Sequence, residues 1–274
     1  MTNRTTLKSD LHALGIETGD AVMVHASLKA IGVVEGGAES VVAALRDAIG
    51  PTGTLMGYAS WDRSPYEETL NGAQMAEEVR RNWPPFDPAT ARTYRGFGLL
   101  NQFLAEAPGA LRSAHPDASM IAIGALAKEL IEPHRLGHAL GRGSPVERFV
   151  RRGGKVLLLG APLDTVTALH YAEAIADIPG KRRVTYEMPM LGPNGEVIWE
   201  TAEDFDTNGF LDCFAIDGEP DEVETIAKAY VSQGRHREGQ VGDARSYLLD
   251  AQDVVSFGVN YLETRFGHKD GRNR

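Results

Sequence analysis

A histidine and a glutamate three residues apart are the side chains best suited to chemistry in this sequence. His170 and Glu173 lie in Gly160–Glu173, which reads as a strand end, a polar loop and a helix whose start Asp164 or Thr165 caps, with His170 about a turn and a half inside. Residues three apart share a helix face, so the carboxylate can fix one imidazole nitrogen and make the other more basic. The pair is a candidate general base. A buried histidine that bonds a neighbouring carbonyl would show the same spacing.

Thr167 lies one helical turn before His170. Its hydroxyl could donate a hydrogen bond to a carbonyl oxygen held near the base. A threonine at a helix end more often bonds its own backbone, so the spacing alone favours the structural interpretation.

Three loops carry groups that suit an anion. The segment His25–Gly32 follows an apolar strand, and its hydroxyl, lysine and backbone amides could hold a phosphate, although it matches neither the Walker nor the dinucleotide glycine pattern. Arg112–Ser119 offers a cation, hydroxyls and an imidazole, or else a turn stiffened by Pro116. Gly141–Pro145 adds one arginine. The candidates are Ser27, Lys29, Ala30, Ile31, Gly32, Arg112, Ser113, His115 and Arg142.

Two further segments mix acidic and aromatic side chains. They are Trp61–Glu68 and Glu203–Asp212, and such a mixture suits a polyamine sugar, because carboxylates pair with ammonium groups and aromatic faces pack on rings. A solvated acidic loop would have the same composition. The candidates are Asp62, Tyr66, Glu67, Asp206, Asn208 and Asp212.

Metal and nucleophile sites receive little support. Only His134 and His138 stand four apart, and Gly137 and Gly141 interrupt any helix there. The chain has one cysteine, Cys213, and no Gly-x-Ser-x-Gly sequence, so we expect no metal and no activated nucleophile.

The composition of the 274 residues indicates a folded protein with an acidic surface. The formal net charge is −10, from 38 acidic residues against 28 lysines and arginines, which disfavours nucleic acid and anionic membranes and suits a cationic partner or simple solubility. No apolar run is long enough to span a bilayer, and the N-terminus does not read as a secretory signal. We therefore expect a cytoplasmic protein.

Strands that alternate with helices predict an α/β sandwich. We expect strands at 20–25, 54–59, 120–123 and 155–160, and a late hairpin of 183–189 and 195–201 that makes the sheet mixed. We expect helices at 5–14, 38–49, 74–81, 99–106, 125–131, 145–151, 165–176, 221–233 and 254–266. In such sheets ligands lie beyond the carboxyl ends of the strands, which points to the loops after His25, Ser60 and Gly160. The irregular segment 61–95 is typical of a functional loop.

Five segments in this order resemble the aminoglycoside 3-N-acetyltransferase family, in particular its gentamicin-resistance members. They are Val24–Gly32, Tyr58–Glu67, Trp83–Pro88, Arg112–Ser119 and Ala168–Glu173, and the likeness runs from about Leu11 to Glu263. The resemblance implies one three-layer α/β sandwich over residues 1–274, unlike the Gcn5-type acetyltransferase fold, in which 61–95 faces the substrate. It implies acetyl-CoA as donor, the 3-amine of a 2-deoxystreptamine antibiotic as acceptor, antibiotic resistance as outcome, and no metal.

The resemblance also suggests roles for the candidate residues. His170, oriented by Glu173, would deprotonate the amine, which attacks the thioester directly while Thr167 or a backbone amide stabilises the oxyanion. The nine anion-binding candidates would hold the CoA, and the six acidic-segment candidates would hold the drug. Another acyl-CoA enzyme acting on a different amine, or a non-catalytic polyamine-binding protein, remains an alternative; a drug panel and CoA binding would separate them.

Overall fold

The computed structural model describes residues 1–216 and 218–268. The strands are β1 (Ala21–Ala26), β2 (Thr54–Tyr58), β3 (Leu111–Arg112), β4 (Met120–Gly124), β5 (Lys155–Leu159), β6 (Arg183–Leu191), β7 (Val197–Phe205), β8 (Arg237–Val241) and β9 (Ala244–Asp250). The helices are α1 (Arg4–Leu14), α2 (Leu28–Ile31), α3 (Gly37–Ile49), α4 (Tyr66–Thr69), α5 (Glu77–Asn82), α6 (Leu100–Glu106), α7 (Ala127–Ile131), α8 (Pro145–Arg151), α9 (Ala168–Ile175), α10 (Glu222–Ser232) and α11 (Ala251–Phe266).

Seven strands form the main sheet in the order β3-β4-β2-β1-β5-β9-β8. The central strand β1 pairs parallel with β2 and β5, and the other four strand pairings of this sheet are antiparallel. The predicted mixed sheet is therefore confirmed. Its three parallel strands end at one edge, where their following loops meet.

Alternation along the strands fills two cores, one on each face of the sheet. Val22 and Val24 of β1 pack with α1, α3 and α6. Met23, between them, packs on the other face with α7 to α11. Because successive strand residues point to opposite faces, an uninterrupted apolar strand requires cover on both sides. The result is the three-layer sandwich that the sequence predicts.

The late hairpin forms as predicted but stands apart from the main sheet. Strands β6 and β7 pair antiparallel over nine residues each, around the turn at Gly192–Gly195. They make a separate two-stranded sheet, so the mixed character of the main sheet comes from β3, β4, β8 and β9 instead.

Two other differences from the sequence prediction are local. Strands β3, β8 and β9 and helix α2 were not predicted. Strand β3 and helix α2 have only two and four residues, Arg237–Val241 is polar and short, and its connection at Gly242–Asp243 was not recognised as a hairpin turn. The segment 61–95 contains two short helices, α4 and α5, where one was expected. Over the described residues no helix is long and apolar enough to cross a membrane.

Candidate active site

A cleft of about 770 Å³ opens at the carboxyl ends of the three parallel strands. His25 and the loop after it border the cleft on one side, Tyr58 comes from the end of β2, and the loop after β5 leads to His170. Its other lining residues include Arg95–Leu99, Leu140, Thr207, Asn208 and Asp221. The cleft lies at the strand ends to which the sequence points, and the part of segment 61–95 that lines it is Arg95 alone.

A close contact between two loops shapes this side of the cleft. Gly160, just after β5, has φ +67°, and a β-carbon there would lie 2.6 Å from that of Ala30 in α2. Only glycine fits both the backbone angle and the contact. Ser27 caps α2 by accepting a hydrogen bond from the amide of Ala30 at 3.3 Å. The loop after β1 is thereby fixed against the loop after β5.

His170 lies in the first turn of α9, nearer the helix start than predicted. The chain makes a tight turn at Leu163–Thr165, and α9 begins only at Ala168, with Thr167 at the cap position. The expected caps at Asp164 and Thr165 are wrong: the Thr165 hydroxyl donates to the carbonyl of Pro162 at 2.7 Å instead. The short helix brings Thr167 and His170 to the cleft wall.

The predicted hydrogen bond between His170 and Glu173 is present. Nδ1 of His170 lies 2.9 Å from Oε2 of Glu173, whose side chain is 2% exposed, whereas that of His170 is 18% exposed. Burial lowers the pKa of His170, but the charge and the hydrogen bond of Glu173 outweigh this effect and raise the pKa. Because Glu173 occupies Nδ1, Nε2 is the nitrogen that can take a proton.

A second histidine, His25, borders the same cleft. Burial, and then the charge of His170, lowers the pKa of His25 to about 4, so this imidazole is neutral at pH 7. Its side chain is buried, and among the described residues its Nε2 has no hydrogen-bond partner. The sequence placed His25 in an anion-binding loop but gave no sign that it faces the candidate base.

A second carboxyl group lies beside the pair of His170 and Glu173, and sequence analysis missed it. Glu222, the first residue of α10, is 1% exposed, and one atom from each of His170, Glu173 and Glu222 lies within 4.8 Å of the others. Such a donor set could hold a metal ion, but Nδ1 of His170 already donates to Glu173, and we treat the three as a hydrogen-bonding group. Fifty-two residues separate His170 from Glu222, so no local spacing could reveal the contact.

The cleft mouth carries charges of both signs. Asp164 and Asp221 line it together with Asn208, and burial, then the charges of Asp221 and Glu224, raises the pKa of Asp164. Lys29 and Arg95 line the cleft as well. A polycation and a phosphate could therefore both find partners at the opening.

The predicted residues of 112–115 lie away from this cleft. The guanidinium of Arg112 donates to the carbonyls of Ser60 and Ala91 and, at 3.0 Å, to the hydroxyl of Ser119. Ser113 and His115 are buried; their partners are His134, at 2.9 Å from the Ser113 hydroxyl, and Tyr186, at 3.1 Å from Nε2 of His115. These side chains bond to other parts of the fold.

Other anion-binding candidates also lie outside the cleft lining. Ile31 is buried in the core, and a β-carbon on Gly32 would lie 2.1 Å from a carboxyl oxygen of Asp243. Arg142 is exposed on a separate loop. Of the nine, Ser27 and Lys29 line the cleft, while Ala30 supports its wall.

The acidic-segment candidates are divided. Asn208 lines the cleft, and its backbone amide donates a hydrogen bond to the carboxylate of Asp206 at 3.0 Å. Asp206 is buried and forms an ion pair with Arg182 at 3.1 Å. Asp212 is exposed, 3.8 Å from the same arginine. Tyr66 packs 5.3 Å from the ring of Tyr186, and burial, then the charges of Asp117 and Asp206, raises its pKa.

The remaining two acidic candidates lie in the segment 61–95. Glu67 is exposed, and Asp62 lines a separate groove of about 590 Å³ that Trp83 also borders. The structure therefore does not bring these side chains to the wall that carries His170.

A histidine that is hydrogen-bonded to a buried carboxylate thus lies in a cleft at the ends of the parallel strands of an α/β fold. Residues 23–263 match the family model described as Aminoglycoside 3-N-acetyltransferase. The chain belongs to this family, and it is an acyltransferase.

Individual relatives agree with the family match. Aminoglycoside N(3)-acetyltransferase III of Acinetobacter baumannii is 74% identical over 267 residues, which cover 97% of this chain and 93% of the relative. The crystal structure of aminoglycoside acetyltransferase AAC(3)-IIb has a TM-score of 0.96 at 74% identity, covering 98% of this chain and 99% of that one. The binary complex of AAC-IIIb with CoASH has a TM-score of 0.91 at 43% identity, covering 98% and 99%. The expected fold, distinct from the Gcn5 type, and the expected co-substrate, acetyl-CoA, are confirmed.

Proposed function

We propose that this enzyme acetylates the 3-amino group of 2-deoxystreptamine aminoglycosides by direct attack of the amine, with His170 as general base. The observation that carries the proposal is the 2.9 Å hydrogen bond from His170 to buried Glu173 at the wall of the cleft. It leaves Nε2 as the proton acceptor. A reaction of this kind would confer antibiotic resistance, because acetylation changes the drug by removing the positive charge of the amine.

A base is needed because an alkylamine is mostly protonated at neutral pH and attacks only when neutral. Acidic neighbours hold a polycation but also keep its protons in place. The raised pKa of His170, caused by Glu173, makes its imidazole a better acceptor for the proton of the attacking amine. The proton moves to Nε2 as the new amide bond forms and the CoA thiolate leaves.

The positions of the Ser27 hydroxyl and of the Cys213 thiol agree with direct attack by the amine, without an acyl-enzyme. The Ser27 hydroxyl accepts from the amide of Ala30, and Cys213, the one cysteine of the chain, does not line the cleft. Thr167 is 7% exposed and one turn from His170, so its hydroxyl can donate to the thioester oxygen as negative charge develops there.

The two substrates would bind to different charged residues of the cleft. Asp164, Asp221 and Asn208 would face the ammonium groups of the drug, and Lys29 with Ser27 would face the CoA. A relative with 43% identity binds CoASH, which supports CoA as the second partner.

The test is release of CoA thiol from acetyl-CoA with a panel of aminoglycosides, some of them lacking a free 3-amine. We expect release with drugs that carry this amine and none with drugs in which it is blocked. Equal release with both kinds would show that another amine is the acceptor.

A further inference from the structure

Glu222 is a buried acidic residue, and no contact described so far stabilises its carboxyl group. It begins α10, its side chain is 1% exposed, and within residues 1–216 and 218–268 neither carboxyl oxygen has a hydrogen-bond partner. An ionised carboxylate in such a place would be strongly destabilising unless a partner compensated for its lost hydration. The group must therefore be neutral, or serve a neighbour, or both.

The charged groups around Glu222 favour the neutral form. His170 and Glu173 face it from α9, Asp221 precedes it at the cap of α10, and the thiol of Cys213 lies near it. Burial and then the negative charge of Glu173 raise the pKa of Glu222 to about 8, against the opposing effects of its own backbone amide and His170. Burial raises the pKa of Glu173 as well, but the charge and hydrogen bond of His170 stabilise its ionised form, so Glu222 is the carboxyl group of the two that holds a proton and can donate a hydrogen bond.

Glu173 is the acceptor that such a donor needs. One of its oxygens accepts from Nδ1 of His170, while the other, Oε1, is buried and has no partner among the described residues. Carboxyl oxygens of Glu173 and Glu222 lie within 4.8 Å. Two hydrogen bonds through one water span about 4.6 Å, and a small side-chain rotation would allow a direct bond.

We propose that Glu222 is a positioning residue that, as a neutral carboxylic acid, donates a hydrogen bond to the free oxygen of Glu173, directly or through one water. The bond stabilises the ionised Glu173 and fixes its plane toward Nδ1 of His170. Glu222 touches neither substrate and acts through Glu173. This inference rests on the proposed role of His170 as base.

Two substitutions test whether Glu222 acts as a hydrogen-bond donor, through the volume of its side chain or through a charge. Glu222→Gln keeps a neutral donor, so we expect kcat within about twofold of the wild type and an unchanged acid limb of its pH profile. Glu222→Met keeps the volume but removes the donor, so kcat falls by about 10- to 100-fold, the effect of one hydrogen bond to a charged group, while KM for the drug changes less. Its acid limb moves to higher pH, because a poorly stabilised Glu173 holds the imidazolium more tightly.

Glu224→Met is the matched control. Glu224 lies in the same helical turn but pairs with Lys228 at 2.6 Å, so this variant should keep the wild-type profile. A second readout is the infrared carbonyl band of a buried carboxylic acid at pH 7, which we expect in the wild type and not in Glu222→Gln. This measurement does not need the methionine variant to fold.

Three results would overturn the proposal. They are a wild-type kcat in a folded Glu222→Met, an acid limb moved to lower pH in Glu222→Gln, which would mean an ionised Glu222, and no carboxylic acid band at pH 7. The base assignment is tested separately: full activity in His170→Ala would refute that assignment, whatever Glu222 does.

Discussion

Replacing Glu173 by glutamine tests how far the carboxylate activates His170. Glutamine keeps the shape of the side chain and can still accept from Nδ1, but it carries no charge. The bond spans 2.9 Å and its acceptor is 2% exposed, so little solvent screens it. A hydrogen bond to a buried charged group contributes about 1.5–3 kcal/mol, which corresponds to about 10- to 150-fold in rate. We expect kcat to fall by that factor.

The pH profile of kcat shows in which direction Glu173 shifts the pKa of His170. The base works only when it is neutral, so the rate falls as pH drops through the pKa of His170, which Glu173 raises. Removing the charge lowers this pKa, and the acid limb of kcat therefore moves to lower pH in Glu173→Gln.

The assay is initial-rate thiol release across pH 5 to 9 at saturating acetyl-CoA and drug. Glu147→Gln is the matched control, because Glu147 accepts from the Tyr171 hydroxyl of the same helix at 3.0 Å but does not line the cleft. A Glu173→Gln variant with wild-type kcat and an unmoved acid limb would refute the reasoning.

Three further predictions concern binding and stability. In Arg112→Met, three partly buried acceptors lose their donor, so urea denaturation should show that the free energy of unfolding falls by about 3 kcal/mol, with an unchanged KM for acetyl-CoA. A large rise in that KM with full stability would instead indicate a cofactor contact. Asp164→Asn with Asp221→Asn, which keeps the helix cap, should raise KM for the drug about threefold to tenfold, and an unchanged KM would contradict a role of these charges at the cleft mouth. Burial lowers the pKa of His25 to about 4, so the neutral imidazole contributes fully to stability above about pH 6.5, and about 3 kcal/mol of stability is lost as pH falls from there toward 4. Urea titrations should show a smaller loss of stability over this pH range in His25→Phe. An equal loss in that variant would argue against the effect of His25.

The sequence predicted the layers and the contact between His170 and Glu173 because both depend on local patterns. Apolar strands such as Lys155–Leu159 and the spacing of His170 and Glu173 can be read within a few residues. Strand β9 and the edge strand β8 could not be read in this way, because β9 is specified by its pairing with β5, about ninety residues earlier, and β8 pairs with β9 alone.

Placement of the binding residues depended on tertiary contacts. Arg112 has the composition of an anion site but donates to backbone carbonyls of other loops, and Glu222 has no motif around it but reaches His170 through the packing of α10 beside α9. Loop chemistry shows which groups are available, whereas the fold decides which of them meet.

The most direct test of the account is thiol release by His170→Ala beside the wild type, with drug binding measured on both by calorimetry. Removal of a positioned base typically costs about 10²- to 10⁴-fold. We predict a fall in kcat of that size with drug affinity nearly unchanged, since His170 is one of many side chains that line the cleft. Unchanged turnover in the folded variant would contradict the assignment of His170 as the base.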